Sequence, residues 1–556
     1  MRRYIAPRRY LLSGETFGPH SHLPHVFCDV LVVGSGIAGL RAALAAAEHA
    51  NVVVVTKAEP DESNTKYAQG GIAAATFGNG RKGDTVESHV ADTLNAGQGL
   101  CDEETVRQIL SEGPARIREL LEWGVEFDGT ANGLDLAQEG GHSVPRIVHA
   151  RGDSTGAEVE TVLLRRVQQH PDIQVVDHAF TVDLLTGPDA EEGQRCLGAL
   201  VADKRWGLML VWAKQTILAT GGAGQIYRET TNPSIATGDG LAMAYRAGCE
   251  LRDLEFMQFH PTTLYLAGAS RALISETVRG EGAVLRNKDG EAFMPRYHPA
   301  GDLAPRDVVS LAIVREMQRT NATQVYLDLR HLDREAVLKR FPRLQELCAT
   351  FDLDIATDML PVRPSAHYTI GGISTDARGR TTLVGLWACG EVASTTLHGA
   401  NRLGSNSLLE GLVCGCWAGM EAGKAAGSTP RMEPRPLTAD ISRKWESGDK
   451  INVADVSNSL RSIIWRNVGI ERHAASLQEA NQMIDFWCSY VMDKEFHEPR
   501  GWELQNMLTV AKLMTVAALQ REETRGVHYR ADFPQRDDVR WRRHIVHRRD
   551  SDRPET

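Results

Sequence analysis

A glycine-rich turn between a buried strand and a helix constrains the fold of this chain most strongly. Residues 28–33, CDVLVV, form a continuous apolar run, which is typical of a parallel strand covered on both faces. The turn 34–39, GSGIAG, has the spacing G-x-G-x-x-G, and an alanine- and leucine-rich helix is predicted after it. A second predicted strand, NVVVVTKAE, completes a βαβ unit. The pattern favours a dinucleotide bound at the helix N-terminus, with an ordinary glycine-rich turn as the alternative.

The end of the second strand departs from the usual dinucleotide pattern. An acidic residue that binds a ribose is expected there, but Thr56 and Lys57 occupy the position and Glu59 follows two residues later. Two further apolar strands end in glycine, within 216–224 and 385–391. Each junction alone is also compatible with an ordinary strand end. Taken in order, the three predict a flavoprotein with two dinucleotide-binding lobes, in which Glu391 approaches the cofactor.

The composition narrows the class of protein. The chain has 556 residues, of which 42% are hydrophobic and 24% are charged, so a large core can form. The net charge of −10 argues against a dedicated nucleic-acid-binding protein, which usually has a basic excess. We find no long apolar run and no secretory signal, and the nine cysteines are dispersed. We therefore expect a cytoplasmic protein with reduced thiols and no membrane or nucleic-acid partner.

Changes in composition divide the chain into predicted units. Region 256–366 is richer in His, Arg and Pro than its surroundings, which indicates an inserted domain that covers the substrate. Three amphipathic segments after a proline-rich connector predict a helical bundle. We predict a flexible N-terminal extension (1–27), a discontinuous cofactor-binding domain (28–255 and 367–428), a capping domain (256–366), a C-terminal helical domain (429–534) and a solvated charged tail (535–556).

Polar residues lie beside glycine or proline in five segments, 138–143, 258–262, 304–307, 366–369 and 398–408. These segments carry His260, His367, Arg306 and Arg402. Arginine binds a carboxylate through two parallel hydrogen bonds, and histidine donates to the remaining oxygens, so these side chains suit a small dicarboxylate. Spacing alone does not show that the segments meet. Each histidine is also compatible with a structural role, and no metal site is predicted from the spacing.

Together these motifs resemble the succinate dehydrogenase/fumarate reductase flavoprotein family, and within it the branch that oxidises L-aspartate. The resemblance runs from about residue 28 to 534 and includes GSGIAGL, NTKYAQGGIAAA, EGGHS, FMQFHPT, RGEGA, APRD, AHYTIGG and HGANRLGSNSLLE. WRNVGI (465–470) and ETRGVHYRADFP (523–534) extend it into the C-terminal region. It implies an α/β fold, with a Rossmann-like FAD-binding domain, an inserted α+β capping domain and a C-terminal helical bundle.

The resemblance implies FAD as the cofactor. Where membrane-associated relatives carry a histidine that links FAD covalently, this sequence has Asn64, and because an amide is no nucleophile we expect non-covalent binding. The positions that match the family's FAD contacts are Gly34, Ser35, Gly36, Ile37, Ala38, Gly39, Lys57, Asn64, Thr65, Lys66, Tyr67, Ala68, Gln69, Gly70, Gly71, Asp239, Glu391, Ser407 and Leu408.

The resemblance also implies how the substrate is held and converted. Arg306 is implied as the proton donor or acceptor, served by Glu276 and Arg279; together with His260, His367, Arg402 and Glu139 these form the implied catalytic set. Ser275 replaces the family's usual threonine and keeps the hydroxyl. The implied substrate-binding residues are Glu139, Gln258, His260, Ser275, Arg306, His367, Arg402 and Ser405.

Glu139 distinguishes between substrate classes. A carboxylate at this position can pair with the α-ammonium group of an amino acid, whereas dehydrogenase relatives carry a neutral residue that suits succinate. The alternative is a surface carboxylate without a role in binding. Arginine has a pKa above about 12 and resists deprotonation, so we expect Arg306 mainly to stabilise charge during aspartate oxidation.

The implied reaction is FAD-dependent oxidation of L-aspartate to iminoaspartate. The electron acceptor would be oxygen, giving hydrogen peroxide, or fumarate. This would be the first step of NAD biosynthesis through quinolinate, with a functional link to quinolinate synthase, in a monomer or homodimer. The alternatives are a fumarate reductase or succinate dehydrogenase subunit with iron–sulfur and membrane partners, and a flavin-binding module without catalysis.

Overall fold

The computed structural model describes residues 23–75, 84–130, 133–189, 193–266, 272–433, 446–447, 451–549, 551 and 554–556. The α-helices of these ranges are α1 Ile37–Ala47, α2 Val86–Ala96, α3 Glu103–Glu122, α4 Thr155–Gln169, α5 Asp239–Ala247, α6 Glu276–Gly280, α7 Arg306–Thr320, α8 Arg334–Arg340, α9 Pro342–Ala349, α10 Asn406–Ser428, α11 Val453–Asn467, α12 Ala474–Val491, α13 Pro499–Gln520 and α14 Asp538–Trp541. The strands are β1 His25–Val33, β2 Val52–Val55, β3 Ile72–Ala73, β4 Gly129–Thr130, β5 Gly133–Leu134, β6 Leu136–Ala137, β7 Ile147–Val148, β8 Ile173–Val176, β9 Ala179–Asp189, β10 Gly193–Asp203, β11 Gly207–Leu218, β12 Leu251–Arg252, β13 Met257–Leu264, β14 Val284–Arg286, β15 Val325–Asp328, β16 Leu360–Thr369, β17 Gly372–Ser374, β18 Leu386–Ala388, β19 Ala393–Ser394, β20 Glu446–Ser447, β21 Glu471–Arg472, β22 Lys494–Glu495, β23 Tyr529–Arg530 and β24 Val546–His547.

The central sheet has the order β8-β2-β1-β11-β10-β9, and β18 also pairs with β11. Strands β8, β2, β1, β11 and β18 run parallel, whereas β9 and β10 form an antiparallel extension of β11. The predicted βαβ unit is therefore present as β1, α1 and β2. Its parallel strands end at one edge of the sheet, where open α/β folds bind their ligands.

Both faces of β1 are buried, because its side chains alternate between two cores. Val30 and Val32 pack in the core that contains α1 and α10, while Leu31 and Val33 pack in the core that contains α5 and the helices α11 to α13. This explains why the strand is a continuous apolar run and does not alternate with polar residues. The fold class predicted from the sequence is confirmed.

Region 256–366 forms its own four-stranded sheet, in the order β13-β16-β15-β14. Helix α7 packs against this sheet, and a separate hydrophobic core lies within the region. The predicted boundary between residues 366 and 367 falls inside β16. Strand β16 runs without a break from the capping sheet towards the cofactor domain, and His367 lies near its end.

The C-terminal region contains three long helices, α11, α12 and α13, where the amphipathic pattern predicts them. Helices α11 and α12 bury one apolar face, whereas α13 is buried on nearly all sides between Gly501 and Ala518, which the predicted amphipathic pattern did not indicate. All three join the same core as α5 and β11, so the helices pack directly against the cofactor domain. Within the described residues, no helix combines the length and apolar character that a membrane span requires.

The predictions for the two ends of the chain need correction. Strand β1 begins at His25, so the predicted extension overlaps the sheet, and residues 1–22 lie outside the described residues. The prediction of a solvated tail is wrong. Strand β24 pairs with β12, and Trp541 and Ile545 are buried. The mixed charges of this segment form specific ion pairs, such as Asp538 with Arg525. Composition does not reveal such partners, so it predicted a solvated segment.

Candidate active site

One continuous cavity of about 570 Å³ runs from the glycine turn to the junction between the central sheet and the capping region. Nearly all residues predicted from the sequence line it. They are Gly34, Ser35, Gly36, Ile37, Ala38, Lys57, Asn64, Thr65, Tyr67, Ala68, Gln69, Gly70, Gly71, Glu139, Asp239, His260, Ser275, Glu276, Arg306, His367, Glu391, Arg402, Ser405, Ser407 and Leu408.

Four predicted residues do not line the cavity. Gly39 packs against the turn, where a Cβ would lie 2.0 Å from the carbonyl oxygen of Gly34. Lys66 points outward and its Nζ lies 2.6 Å from Asp61. Gln258 and Arg279 lie behind the lining residues and hold them in place, as described below.

The glycine turn fits a phosphate-bearing ligand. Gly34 has φ +110°, and a Cβ on it would lie 2.2 Å from the carbonyl oxygen of Ala219 on β11's loop, so only glycine fits there. Helix α1 starts at Ile37, whose N–H donates to Thr65 Oγ1 at 3.1 Å, and the first turn of the helix faces the cavity. Unsatisfied N–H groups at a helix N-terminus bind anions, so this end of the cavity suits a pyrophosphate.

Lys57 does not act as a free cation in this cavity. Its Nζ donates to Thr237 (2.8 Å), Asp239 (2.7 Å) and Glu503 (2.7 Å), which uses all three hydrogens of an ammonium group. Burial alone would lower the pKa of Lys57, but the two carboxylates raise it. Asp239 on α5 and Glu503 on the C-terminal helix α13 therefore neutralise the lysine that stands after β2.

Asn64 and Glu391 form the opposite part of the cofactor cavity. Asn64 Nδ2 donates to Glu391 Oε2 (2.8 Å), and the backbone N–H of Thr369 donates to Oε1 (2.9 Å). Burial raises the pKa of Glu391. Asn64 Oδ1 is buried and has no hydrogen-bond partner among the described residues, so it offers an acceptor to a ligand.

Arg306, Arg402 and Gln258 form a fixed cationic corner at the other end of the cavity. Arg306 lies at the start of α7, and Arg402 lies just before α10. Gln258 Oε1 accepts from Arg402 Nε at 3.1 Å and from Arg306 at 3.4 Å, while Gln258 Nε2 donates to the carbonyl oxygen of Arg402 (2.8 Å). Burial, together with the nearby Arg306, lowers the pKa of Arg402 to about 10. Two guanidinium groups held in this way suit a dicarboxylate.

Glu139 is a buried carboxylate beside this cationic corner. Ser405 donates to its Oε2 at 2.9 Å, and Arg306 approaches the same oxygen at 3.9 Å. Burial raises the pKa of Glu139 although Arg306 opposes the shift. The sequence left a surface carboxylate as the alternative, and the 3% exposure of Glu139 excludes it.

Glu276, in the cavity wall, connects Arg306 to Arg279, which lies behind the wall. Arg306 Nε donates to Glu276 Oε2 at 2.6 Å, and Arg279 lies 3.3 Å from the other carboxylate oxygen. Burial alone would raise the pKa of Glu276, but the two arginines hold it below its ordinary value. Burial would lower the pKa of Arg306, yet Glu276 and Glu139 raise it. Burial lowers the pKa of Arg279.

His260 and His367 lie side by side in the cavity wall, with their rings in edge-to-face contact and the ring centroids 5.2 Å apart. Thr231 Oγ1 and His367 Nδ1 lie 2.8 Å apart, within hydrogen-bond distance. Burial and then the nearby arginines hold the pKa of both imidazoles well below the ordinary value. Both rings are therefore neutral near pH 7 and bind a substrate oxygen by hydrogen bonding without adding charge.

Sequence reasoning missed several residues that shape the cavity. The guanidinium of Arg402 stacks on the ring of Tyr368 at 4.3 Å from its centroid. Thr231 and Asn232 also line the cavity. They belong to the polar run TTNP, which follows the glycine junction at 221–224 and could have indicated cavity-lining residues. No sequence pattern pointed to Glu503, because its partner Lys57 lies 446 positions earlier in the chain.

Comparison with known proteins agrees with this geometry. Residues 29–408 match the FAD binding domain family, and residues 457–556 match the fumarate reductase flavoprotein C-terminal family. The L-aspartate oxidase of Streptomyces coelicolor is 44% identical over 95% of this chain and 92% of its own length. That of Pseudomonas aeruginosa is 42% identical over 92% and 96%, respectively.

The chain belongs to the L-aspartate oxidase family. The same fold is also found in quinol fumarate reductases. The E. coli enzyme superposes with a TM-score of 0.85 at 32% identity, covering 94% of each chain. Members of the L-aspartate oxidase family and these reductases share the FAD-binding architecture, and FAD is the cofactor that the cavity of this chain accommodates. The match of residues 457–556 also reaches through the segment that was predicted as a tail.

Proposed function

We propose that this protein oxidises L-aspartate to iminoaspartate with bound FAD, as the entry step of NAD biosynthesis. The observation that carries the proposal is the buried carboxylate of Glu139 beside Arg306 and Arg402 in a single cavity. Two arginines match the two carboxylates of aspartate, and Glu139 matches its α-ammonium group. Succinate and fumarate lack a positive group that Glu139 would bind.

The protein side chains have distinct roles in this reaction. When bound, FAD accepts two electrons from the substrate. Arg402 and Arg306 hold the carboxylates and fix the Cα–H bond in one orientation. The amino group must lose a proton before the imine forms, and the raised pKa of Glu139 suits it to accept that proton at a carboxylate oxygen.

Arg306 is assigned a charge-stabilising role in aspartate oxidation. Glu276 and Glu139 raise the pKa of Arg306, so its guanidinium resists deprotonation even more than an ordinary arginine. When fumarate is the acceptor, the carbanion that forms on the substrate is basic enough to take a proton even from this guanidinium, and that proton is replenished through Glu276 and Arg279. The proposal therefore uses Arg306 as an acid in one half-reaction and as a fixed cation in the other.

Asn64 supports non-covalent binding of FAD. Its amide donates to Glu391 and is not nucleophilic, so it cannot form the covalent link that a histidine makes in membrane-associated relatives. Acid precipitation of the purified protein tests this directly. All flavin should appear in the supernatant, and flavin that stays with the pellet would contradict the proposal.

Anaerobic mixing tests the substrate. FAD-loaded protein is mixed with L-aspartate, succinate or L-asparagine while flavin absorbance is followed. L-Aspartate should bleach the flavin, whereas L-asparagine should not, because it lacks the second carboxylate that the arginines require. Bleaching by succinate but not by L-aspartate would favour the fumarate reductase or succinate dehydrogenase alternative. Steady-state turnover with L-aspartate and oxygen, without any other subunit, provides the independent check.

The proposal extends to the setting of the enzyme. We propose oxygen and fumarate as electron acceptors, a cytoplasmic location, a monomer or homodimer, and a functional link to quinolinate synthase. The link follows from the chemistry of the product, since an imine hydrolyses in water unless it is consumed promptly. Hydrogen peroxide release in air and succinate formation from fumarate without air are the two measurements that separate the acceptors.

A further inference from the structure

A second cavity, of about 400 Å³, lies apart from the active site between the capping region and the C-terminal helices. Helix α7 contributes its C-terminal half, including Gln318, and Asn321 follows the helix. Strand β16 contributes Arg363, and the end of α11 contributes Trp465 and Arg466. Trp465 and Arg466 belong to the WRNVGI motif, for which the proposed reaction has no use.

Arg363 is held rigidly in the wall of this cavity. Its guanidinium lies over two aromatic rings, 4.7 Å from the centroid of Tyr265 and 5.1 Å from that of Trp465. Stacking of this kind fixes the plane of a guanidinium and leaves its edge available for an anion. The Nε atom of Arg363 is buried and has no hydrogen-bond partner among the described residues.

The cavity has an excess of positive charge. Arg466 is exposed, and within the described part of the chain neither Arg466 nor Arg363 forms an ion pair with an acidic side chain. Among the described residues that line the cavity, Glu471 is the one acidic residue, against two arginines. A partly buried cation without a counter-ion is unusual in a folded protein, where buried charges are normally paired.

We propose that this cavity binds a small anion with a carboxylate or phosphate group. Arg363 supplies a preorganised pair of N–H donors, Arg466 supplies a second cation, and the amides of Gln318 and Asn321 can donate to the remaining oxygens. The volume lies within the range of small-molecule sites. Helix α7 begins at Arg306 and strand β16 carries His367, so the anion touches the same two elements as the substrate.

Isothermal titration of the FAD-loaded protein at low ionic strength tests the proposal. The probes are pyrophosphate and citrate, which distinguish a phosphate ligand from a carboxylate ligand, and FAD already occupies the dinucleotide site. At least one probe should bind, and Arg363→Met should weaken that binding by at least about tenfold, because a charge-assisted bidentate contact is lost. Binding of the probe to the unmodified protein should also weaken at higher salt, because salt screens the attraction between the anion and the two arginines.

Matched variants distinguish this site from general charge effects. Arg466→Gln changes an exposed residue, so it leaves folding intact and should also weaken binding. Arg378→Met removes another guanidinium stacked on a tryptophan, 4.2 Å from the ring centroid of Trp417, and should leave binding unchanged. Failure of both probes to bind below about 10 mM would overturn the proposal. Equal affinity in the Arg363→Met and unmodified proteins would overturn it as well.

Discussion

The Glu139→Gln substitution removes one negative charge from the substrate end of the active-site cavity and keeps the side-chain shape. In the structure Glu139 is 3% exposed, accepts a hydrogen bond from Ser405 at 2.9 Å and lies 3.9 Å from Arg306. A glutamine oxygen can still accept from Ser405, and Arg306 keeps its contact with Glu276. The variant therefore loses the attraction between Glu139 and the α-ammonium group of L-aspartate, and with it the carboxylate that accepts the ammonium proton.

The size of that loss follows from the burial of the site. Two opposite charges about 4 Å apart attract by about 4 kcal/mol at an effective dielectric constant of about 20. Hydrogen bonds to charged groups contribute about 1.5–3 kcal/mol in mutational series. A loss of about 2–4 kcal/mol lowers kcat/KM for L-aspartate about 30- to 1000-fold. Fumarate reduction should not fall, because fumarate has no ammonium group and the variant repels its carboxylates less.

Two assays on the same preparation test this. One measures kcat/KM for L-aspartate with oxygen as the acceptor, and the other measures reoxidation of chemically reduced protein by fumarate. FAD content and melting temperature are compared with those of the unmodified protein to confirm folding. An equal decrease in both activities would refute the reasoning, since it would mean that Glu139 supports the cavity as a whole.

The pH dependence gives a second check on Glu139. Burial raises the pKa of this carboxyl, and only its ionised form binds an ammonium group. The value of kcat/KM for L-aspartate should therefore fall on acidification, beginning at a higher pH than for an ordinary glutamic acid. The Glu139→Gln profile should lack this inflection, and an unchanged profile would assign the titration to another group.

Three further substitutions test other parts of the site. Arg306→Lys should lower fumarate reduction more than aspartate oxidation in steady-state assays, because only the former needs a proton from the guanidinium; an equal decrease would contradict the two roles. Lys57→Met and Glu503→Gln should show a coupling free energy of about 1–3 kcal/mol in a double-mutant cycle of unfolding, because the ion pair of Lys57 and Glu503 joins α13 to the cofactor cavity. Additive effects of the two substitutions on the free energy of unfolding would show that the ion pair does not contribute. Gly140→Ala places a Cβ 2.4 Å from a carboxylate oxygen of Glu276 and should displace this residue of the proton path. The rate of fumarate reduction should therefore fall while the Kd for FAD stays constant. A higher Kd for FAD would show that the substitution also disturbs the cofactor cavity.

The parts of the fold set by local pattern were predictable from the sequence. The βαβ unit and the helices α11 to α13 follow from apolar periodicity and glycine placement, which act over a few residues. The tail was misjudged because its charges are paired with distant residues, for example His544 with Asp253 at 2.6 Å. Composition records the presence of charges, but only the fold determines their partners.

The same distinction applies to the active site. Resemblance to a family selected Arg306, Arg402 and Glu139, and the fold brings all three into one cavity. Glu503 was not selected, because it acts through contact with another side chain and carries no motif of its own. Tyr368 lies in the AHYTIGG motif, but it received no role because it acts only by supporting Arg402. The lysine that stands after β2 in place of an acid is paired in the structure with carboxylates from two distant helices.

The charges at the substrate end explain why an amino dicarboxylate fits better than a plain one. Arg306 and Arg279 contact the carboxylates of Glu139 and Glu276, and with Arg402 beside them these five side chains carry one net positive charge. L-Aspartate, with two carboxylates and one ammonium group, carries one net negative charge and neutralises the site. Succinate carries two and leaves an uncompensated negative charge in a buried cavity, which is costly. In the Glu139→Gln variant the site has one more positive charge, so the same argument predicts that a plain dicarboxylate becomes the neutral match and that inhibition by succinate strengthens.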